Sequence, residues 1–248
     1  MRKSSAQHKG RGVSANGVRK KPAGVKLGPR FLRAFEFAAE KHAGQTRKTT
    51  TVPYIAHLMG VASLALEFGG DEDVAIAALL HDVVEDCGGA PMLQEVRRRF
   101  GKRVAKIVDG CTDSDTEPKP PWRERKETYI RHLKKADADT RLVSAADKLN
   151  NVRSILADYR AIGESIWTRF SGGREGTLWY YRALLDEFLR RKPSRLVREF
   201  ELAVRELESA AHATGQRDKA ADSSSRDASR NDKRFFSNRA FLDPRVEA

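Results

Sequence analysis

Val74-Ala75-Ile76-Ala77-Ala78-Leu79-Leu80-His81-Asp82-Val83-Val84-Glu85-Asp86 is the stretch on which the fold reading turns. Seven apolar residues in a row, opened by Asp71 as a plausible N-cap, predict a buried helix running to about Asp86. Its far end is polar, and an imidazole beside a carboxylate is costly to hold next to a core unless something compensates the charge. Helical spacing puts His81 near Glu85 and Asp82 near Asp86. Asp82, Glu85 and Asp86 crowd three carboxylates into five residues. A bound cation would relieve their repulsion, whereas an ordinary solvated helix end would leave it standing.

Outward from this helix almost every segment keeps a helical period. Phe31, Ala34, Phe35, Ala38 and Ala39 form a stripe over 30–43. Pro53 suits a helix start, and Ile55, Leu58, Met59, Ala62 and Leu66 follow until Gly69-Gly70. Further helices are predicted at 91–99, 101–111, 122–136, 138–159, 161–170, 174–192 and 194–210, with a polar, Pro-containing loop from Thr112 to Pro121. No alternating β-branched run and no internal repeat appears. The expectation is an all-α bundle in one domain, residues 29–211, flanked by a disordered basic arm (1–28) and a disordered C-terminal tail (212–248) that ends in an apolar patch at Phe235, Phe236, Phe241 and Leu242.

Composition narrows the class. The longest apolar stretch is far shorter than a membrane span, and no secretory signal is evident, so a cytoplasmic protein without membrane contact is expected. Two cysteines, Cys87 and Cys111, are too few for a disulfide framework. The formal charge of +13 would suggest a nucleic-acid partner if it lay on the folded body. Residues 1–26, however, hold eight Lys or Arg and no acid, and 212–248 carry a net +2, which leaves only +3 on 27–211. Nonspecific nucleic-acid contact is therefore an expectation for the arm alone, where a solvated, disordered extension is the plainer reading.

Two more positions complete a possible ion site. His57 sits among apolar neighbours on the preceding helix, where it also reads as a plain core histidine. Asp147, within Val143-Ser144-Ala145-Ala146-Asp147-Lys148-Leu149-Asn150-Asn151-Val152, interrupts an apolar face and needs a partner. Two imidazoles and two carboxylates suit a divalent cation of intermediate hardness such as Mn²⁺, with Fe²⁺, Zn²⁺ and Mg²⁺ as other options. Asp113 and Asp115 could approach such a site, though turn chemistry accounts for them too. Trp179, Tyr180 and Tyr181 read as core and surface aromatics, Arg97-Arg98-Arg99 as a solvated face, and Cys87 as a thiol without a nucleophilic role.

The ordered words His42-Ala43-Gly44-Gln45-Thr46-Arg47-Lys48, Pro53-Tyr54-Ile55-Ala56-His57, Ala77-Ala78-Leu79-Leu80-His81-Asp82-Val83-Val84-Glu85-Asp86 and Ala146-Asp147-Lys148-Leu149-Asn150-Asn151 resemble the HD-superfamily phosphohydrolases, and within them the hydrolase domain of RelA/SpoT-type alarmone enzymes. The resemblance covers roughly residues 30–190. It implies removal of pyrophosphate from the 3′ position of guanosine tetra- or pentaphosphate with Mn²⁺. It implies His57, His81, Asp82 and Asp147 as metal ligands, and Glu85 and Asp86 as the groups that orient and deprotonate water. Arg47, Lys48 and Asn151 would hold the nucleotide. One departure stands out: the loop from Lys48 to Pro53 has one residue more than the family's usual pattern and lacks its Gly, so the base side of the site is open to another nucleotide (an adenosine alarmone, a dNTP or a 5′-nucleotide). A nucleic-acid-binding helical protein acting through its arm is the non-enzyme alternative.

Overall fold

Proline at the first helical position, with its fixed φ and no amide to satisfy, opens the first helix, α1 (Pro29–Lys41). The computed structural model describes residues 24–48, 50–114 and 118–213. The expectations for the two tails therefore fall almost wholly outside the described residues, as does Asp115. In order, the chain then forms α2 (Ile55–Glu67), α3 (Glu72–Leu80), α4 (Val83–Cys87), α5 (Gly89–Phe100), α6 (Lys102–Cys111), α7 (Trp122–Lys135) and α8 (Ala138–Ile162). A 3-10 turn (Gly163–Arg169), α9 (Gly173–Leu189) and a final helix, α10, over 195–213 follow. Among the described residues there is no strand, only an isolated antiparallel bridge between Thr46 and Pro53. The fold is all-α, as the periodicity implied.

Three elements depart from the sequence expectation. The helix drawn through to Asp86 breaks at His81-Asp82, giving α3 and a short α4. There, the His81 ring turns back onto the Ala78 carbonyl of the same helix, and Asp82 is taken up by Tyr54 from the start of α2. α8 runs on to Ile162 before Gly163, at φ +60°, ends it. Residues 163–169 are wound as a 3-10 turn rather than the α-helix expected over 161–170.

The centre of the bundle is α3. Every residue from Val74 to Leu80 is at most 1% exposed, and α1, α2, α6 and α8 pack around it. Alanines at 75, 77 and 78 let those helices approach, while Ile76, Leu79 and Leu80 each contribute roughly 1.5–3 kcal/mol of burial. Asp71 caps α3 by accepting from Val74 N at 3.1 Å. α10 closes the far side, its Phe200 ring packing on Phe188 and Tyr181 of α9. The result brings the first turn of α2, the end of α3 and the middle of α8 to one point.

Candidate active site

His57, His81 and Asp147 are all buried, and each offers an atom within 4.8 Å of the others. His57 Nε2 lies 3.3 Å from Asp147 Oδ1, and His81 Nε2 lies 3.6 Å from the same oxygen. Asp82 Oδ2 adjoins the trio, 3.0 Å from His81 Nε2 and 3.6 Å from His57 Nε2. The four residues come from α2, the α3–α4 break and α8, separated by up to 90 positions in the chain. The loops and packing that join those helices, rather than local sequence, bring them together.

These donors fit a divalent cation. His81 Nε2 is buried without a hydrogen-bond partner: Asp82 is close, but not in the alignment of a hydrogen bond. An orphaned nitrogen aimed into a cluster of two carboxylates is the donor a metal ion satisfies. The electrostatics agree. Burial opposes ionisation of Asp82, yet the adjoining His81 and His57 imidazoles hold its carboxyl well below the ordinary range. Asp147 is likewise held low against burial, chiefly by the Lys148 ammonium and then by the two histidines. Both carboxylates therefore persist as anions inside the bundle, an arrangement that needs positive charge beside it.

A ring of supporting groups fixes these side chains. Tyr54 donates its hydroxyl to Asp82 Oδ2 at 2.6 Å. Lys148 Nζ donates to Asp147 Oδ2 and Asn151 Nδ2 to Asp147 Oδ1, each at 2.5 Å. Gln45 donates to Asp86 Oδ2 at 2.9 Å, and its own carbonyl faces His42 Nδ1 at 2.6 Å. Arg47 reaches across from the bridged loop to Asn150 Oδ1 at 3.3 Å and Asn151 Oδ1 at 3.0 Å. That loop is pinned at its base by Arg47 N to Val52 O and Tyr54 N to Gln45 O, which aims Arg47 at α8.

Two cavities lie beside this cluster, reached through Lys148 and Asn151, which donate to Asp147. One of about 290 Å³ is lined by Lys48, Arg125, Lys126, Lys148 and Asn151, with Glu85 on its wall and Trp122 and Tyr180 as aromatic faces. The other, about 250 Å³, shares Lys48, Asn151, Phe170 and Tyr181, and adds Arg47, Thr50 and Asp158. Lys48, Arg125, Lys126 and Lys148 outnumber Glu85 on the wall of the first, with Asp113 paired to Arg125 and Lys126 behind it and Asp147 paired to Lys148. Burial, and then the Asp113 charge, push the Glu85 carboxyl above its ordinary value, while Lys119 opposes them.

Of the residues that the sequence singled out, Glu85, Lys48 and Asn151 share a cavity wall, and Arg47 lies in the adjoining one. Asp86 lines neither and is held on the Gln45 side. Asp113 does not join the cluster; it accepts from Arg125 and Lys126 and holds these cavity cations in place. Tyr180 and Tyr181 are buried, as core aromatics should be, yet they also wall the cavities. Tyr54, Gln45, Lys148, Asn150, Arg125 and Lys126 were missed. The first four lie inside the quoted words and were findable there. Nothing in Arg123-Glu124-Arg125-Lys126 distinguishes its inward cations from its outward ones.

Known proteins resemble this chain in sequence and in fold. A family model described as HD domain matches residues 34–178. A Xenopus tropicalis protein named guanosine-3′,5′-bis(diphosphate) 3′-pyrophosphohydrolase MESH1 is 42% identical over 128 residues, which is 50% of this chain and 69% of that one. The Homo sapiens protein of the same name is 40% identical over the same shares. An Aquifex aeolicus guanosine-3′,5′-bis(diphosphate) 3′-pyrophosphohydrolase is 41% identical over 126 residues, 50% of this chain but 17% of that much longer one. Among solved structures, a metazoan ortholog of SpoT that hydrolyzes ppGpp superposes with a TM-score of 0.61 at 28% identity, covering 73% of this chain and 97% of that one.

Proposed function

The chain belongs to the HD domain family, and from that premise we propose that it is a metal-dependent hydrolase that removes the 3′-pyrophosphate of guanosine 3′,5′-bis(diphosphate), releasing GDP and pyrophosphate. One observation carries the reading: two buried imidazoles and two anionic carboxylates from three helices meet beside a cavity walled by four cations. The catalytic domain is assigned to residues 29–211. His57, His81, Asp82 and Asp147 would hold the divalent ion, and Mn²⁺ is the ion assigned, because mixed imidazole and carboxylate donors suit its intermediate hardness. Such an ion supplies Lewis acidity, lowering the pKa of water and offsetting charge on the phosphoryl oxygens.

The chain's own residues divide the remaining work. Lys48, Arg125, Lys126 and Lys148 bind the phosphate oxygens with charge-assisted hydrogen bonds. Arg47 and Asn151 orient the nucleoside side of the substrate from the adjoining cavity. Water attacks the phosphorus attached to the 3′ oxygen, and the 3′ O–P bond breaks. Glu85 accepts the proton of the attacking water, its raised pKa making the carboxylate a better base. Asp86, aimed by Gln45, orients that water. The departing ribose oxygen takes up a proton.

The test is direct. Purified protein with Mn²⁺ and the guanosine substrate should yield GDP and pyrophosphate, and Asp82→Ala should abolish both products. Hydrolysis of an adenosine or deoxynucleotide analogue, with the guanosine compound left intact, would overturn the substrate assignment. Full activity in Asp82→Ala would overturn the site.

A further inference from the structure

Asn150 stands between the substrate arm and the metal cluster, and sequence reading gave it no role. Its Oδ1 lies 2.8 Å from His57 Nδ1 and also receives Arg47 Nη1 at 3.3 Å. A guanidinium only donates, so the amide atom facing both groups is the oxygen. An amide oxygen only accepts, so Nδ1 of His57 carries a proton, and Nε2 is left to present a lone pair to the space shared with Asp147 and Asp82. His81 receives the same instruction from a backbone carbonyl, that of Ala78, at 2.9 Å. The fold makes room for the amide on one side: a Cβ built on Gly60 of α2 would come within 2.5 Å of Asn150 Nδ2.

We propose that Asn150 is a positioning residue, whose side-chain oxygen sets the His57 ring and its tautomer for metal binding and joins that ring to Arg47. The proposal rests on His57 being a metal ligand. A hydrogen-bond partner on the outer nitrogen of a ligating histidine typically changes metal affinity about 10–100-fold when it is lost. Asn150→Leu removes the acceptor with little change in volume. Asn150→Asp keeps an acceptor oxygen in place. Gly60→Ala pushes on the amide without deleting it.

Two readouts need no substrate. Mn²⁺ binding to the full chain is measured by calorimetry. The protonated nitrogen of His57 is read from long-range ¹H–¹⁵N spectra of the metal-free protein, at a pH where the ring is neutral. The wild type should show Nδ1–H. Asn150→Leu should shift the proton towards Nε2 and weaken Mn²⁺ binding about 10–100-fold. Asn150→Asp should retain both properties, and Gly60→Ala should weaken binding, which provides a test should the leucine variant not fold. Wild-type tautomer and affinity in Asn150→Leu, or in a folded Gly60→Ala whose amide is displaced, would overturn the proposal and leave the metal site standing. A wild-type chain that binds no Mn²⁺ would overturn both.

Discussion

Glu85 lies between opposing charges. Burial and then Asp113 raise its pKa, and Lys119, whose Nζ sits 3.1 Å from Oε1, pulls it down. A general base must be ionised to act, so the acid limb of the rate profile follows this group. Removing the Lys119 cation raises the Glu85 pKa further, and the limb should move to higher pH. We expect kcat/KM against pH for Lys119→Met to show that upward displacement with its plateau largely retained, while Glu85→Gln loses about 10²–10⁴-fold in kcat. An unmoved limb in Lys119→Met would assign the proton transfer to another group. At this scale the sequence was informative where chemistry is dense, because His81-Asp82 and Glu85-Asp86 carry their own electrostatic conflict. It was silent on Arg125 and Lys126, which reach the cavity from the face of α7 that meets α9, and on Lys119, which reaches Glu85 from the loop before α7.

Helix α8 carries Asp147, Lys148, Asn150 and Asn151, so its start fixes the register of half the site. Asp137 caps it, accepting from Thr140 N at 2.9 Å. Burial opposes ionisation of this carboxyl, but hydrogen bonds from Lys106 and the Thr140 amide bring it down to about 2 from 3.8. A depressed carboxylate stabilises the fold above its unfolded pKa and loses that contribution as pH falls through the folded one. Asp137→Ala should therefore cost about 1 kcal/mol at neutral pH. The surface pair with Lys106 adds little to that. The gap in melting temperature between wild type and variant should narrow as pH falls from 4 towards 2, whereas a gap independent of pH would locate the effect in packing rather than in the charged cap. The start of this helix at residue 138 was legible in the sequence, although its cap was not singled out there. The break at His81-Asp82 was not legible, because Asp82 there is engaged by Tyr54, 28 positions away in the chain, and no periodicity reports such a contact.

For the molecule as a whole, the four proposed ligands tie α2, the α3–α4 break and α8 together at the centre of the bundle, where α3 has no solvent-facing side. Without an ion, two anionic carboxylates share the site with imidazoles whose protonation is favoured, against the cost of burial, by the adjoining Asp147 and Asp82 carboxylates. An ion that binds only the folded arrangement must stabilise all three helices at once. At a hundred times its dissociation constant the gain is about 2.7 kcal/mol, or roughly 5–10 °C in melting temperature for a domain of this size. Melting temperature should thus climb with the logarithm of Mn²⁺ concentration and return to baseline with excess chelator. Asp147→Asn, which keeps the shape but removes the charge, should flatten that dependence. The +13 net charge bears on the choice of control, since residues 1–26 hold most of the excess and attract anions rather than cations. A rise produced equally by Mn²⁺ and by matched ionic strength would therefore be a screening effect, and the ion would not be bridging these helices.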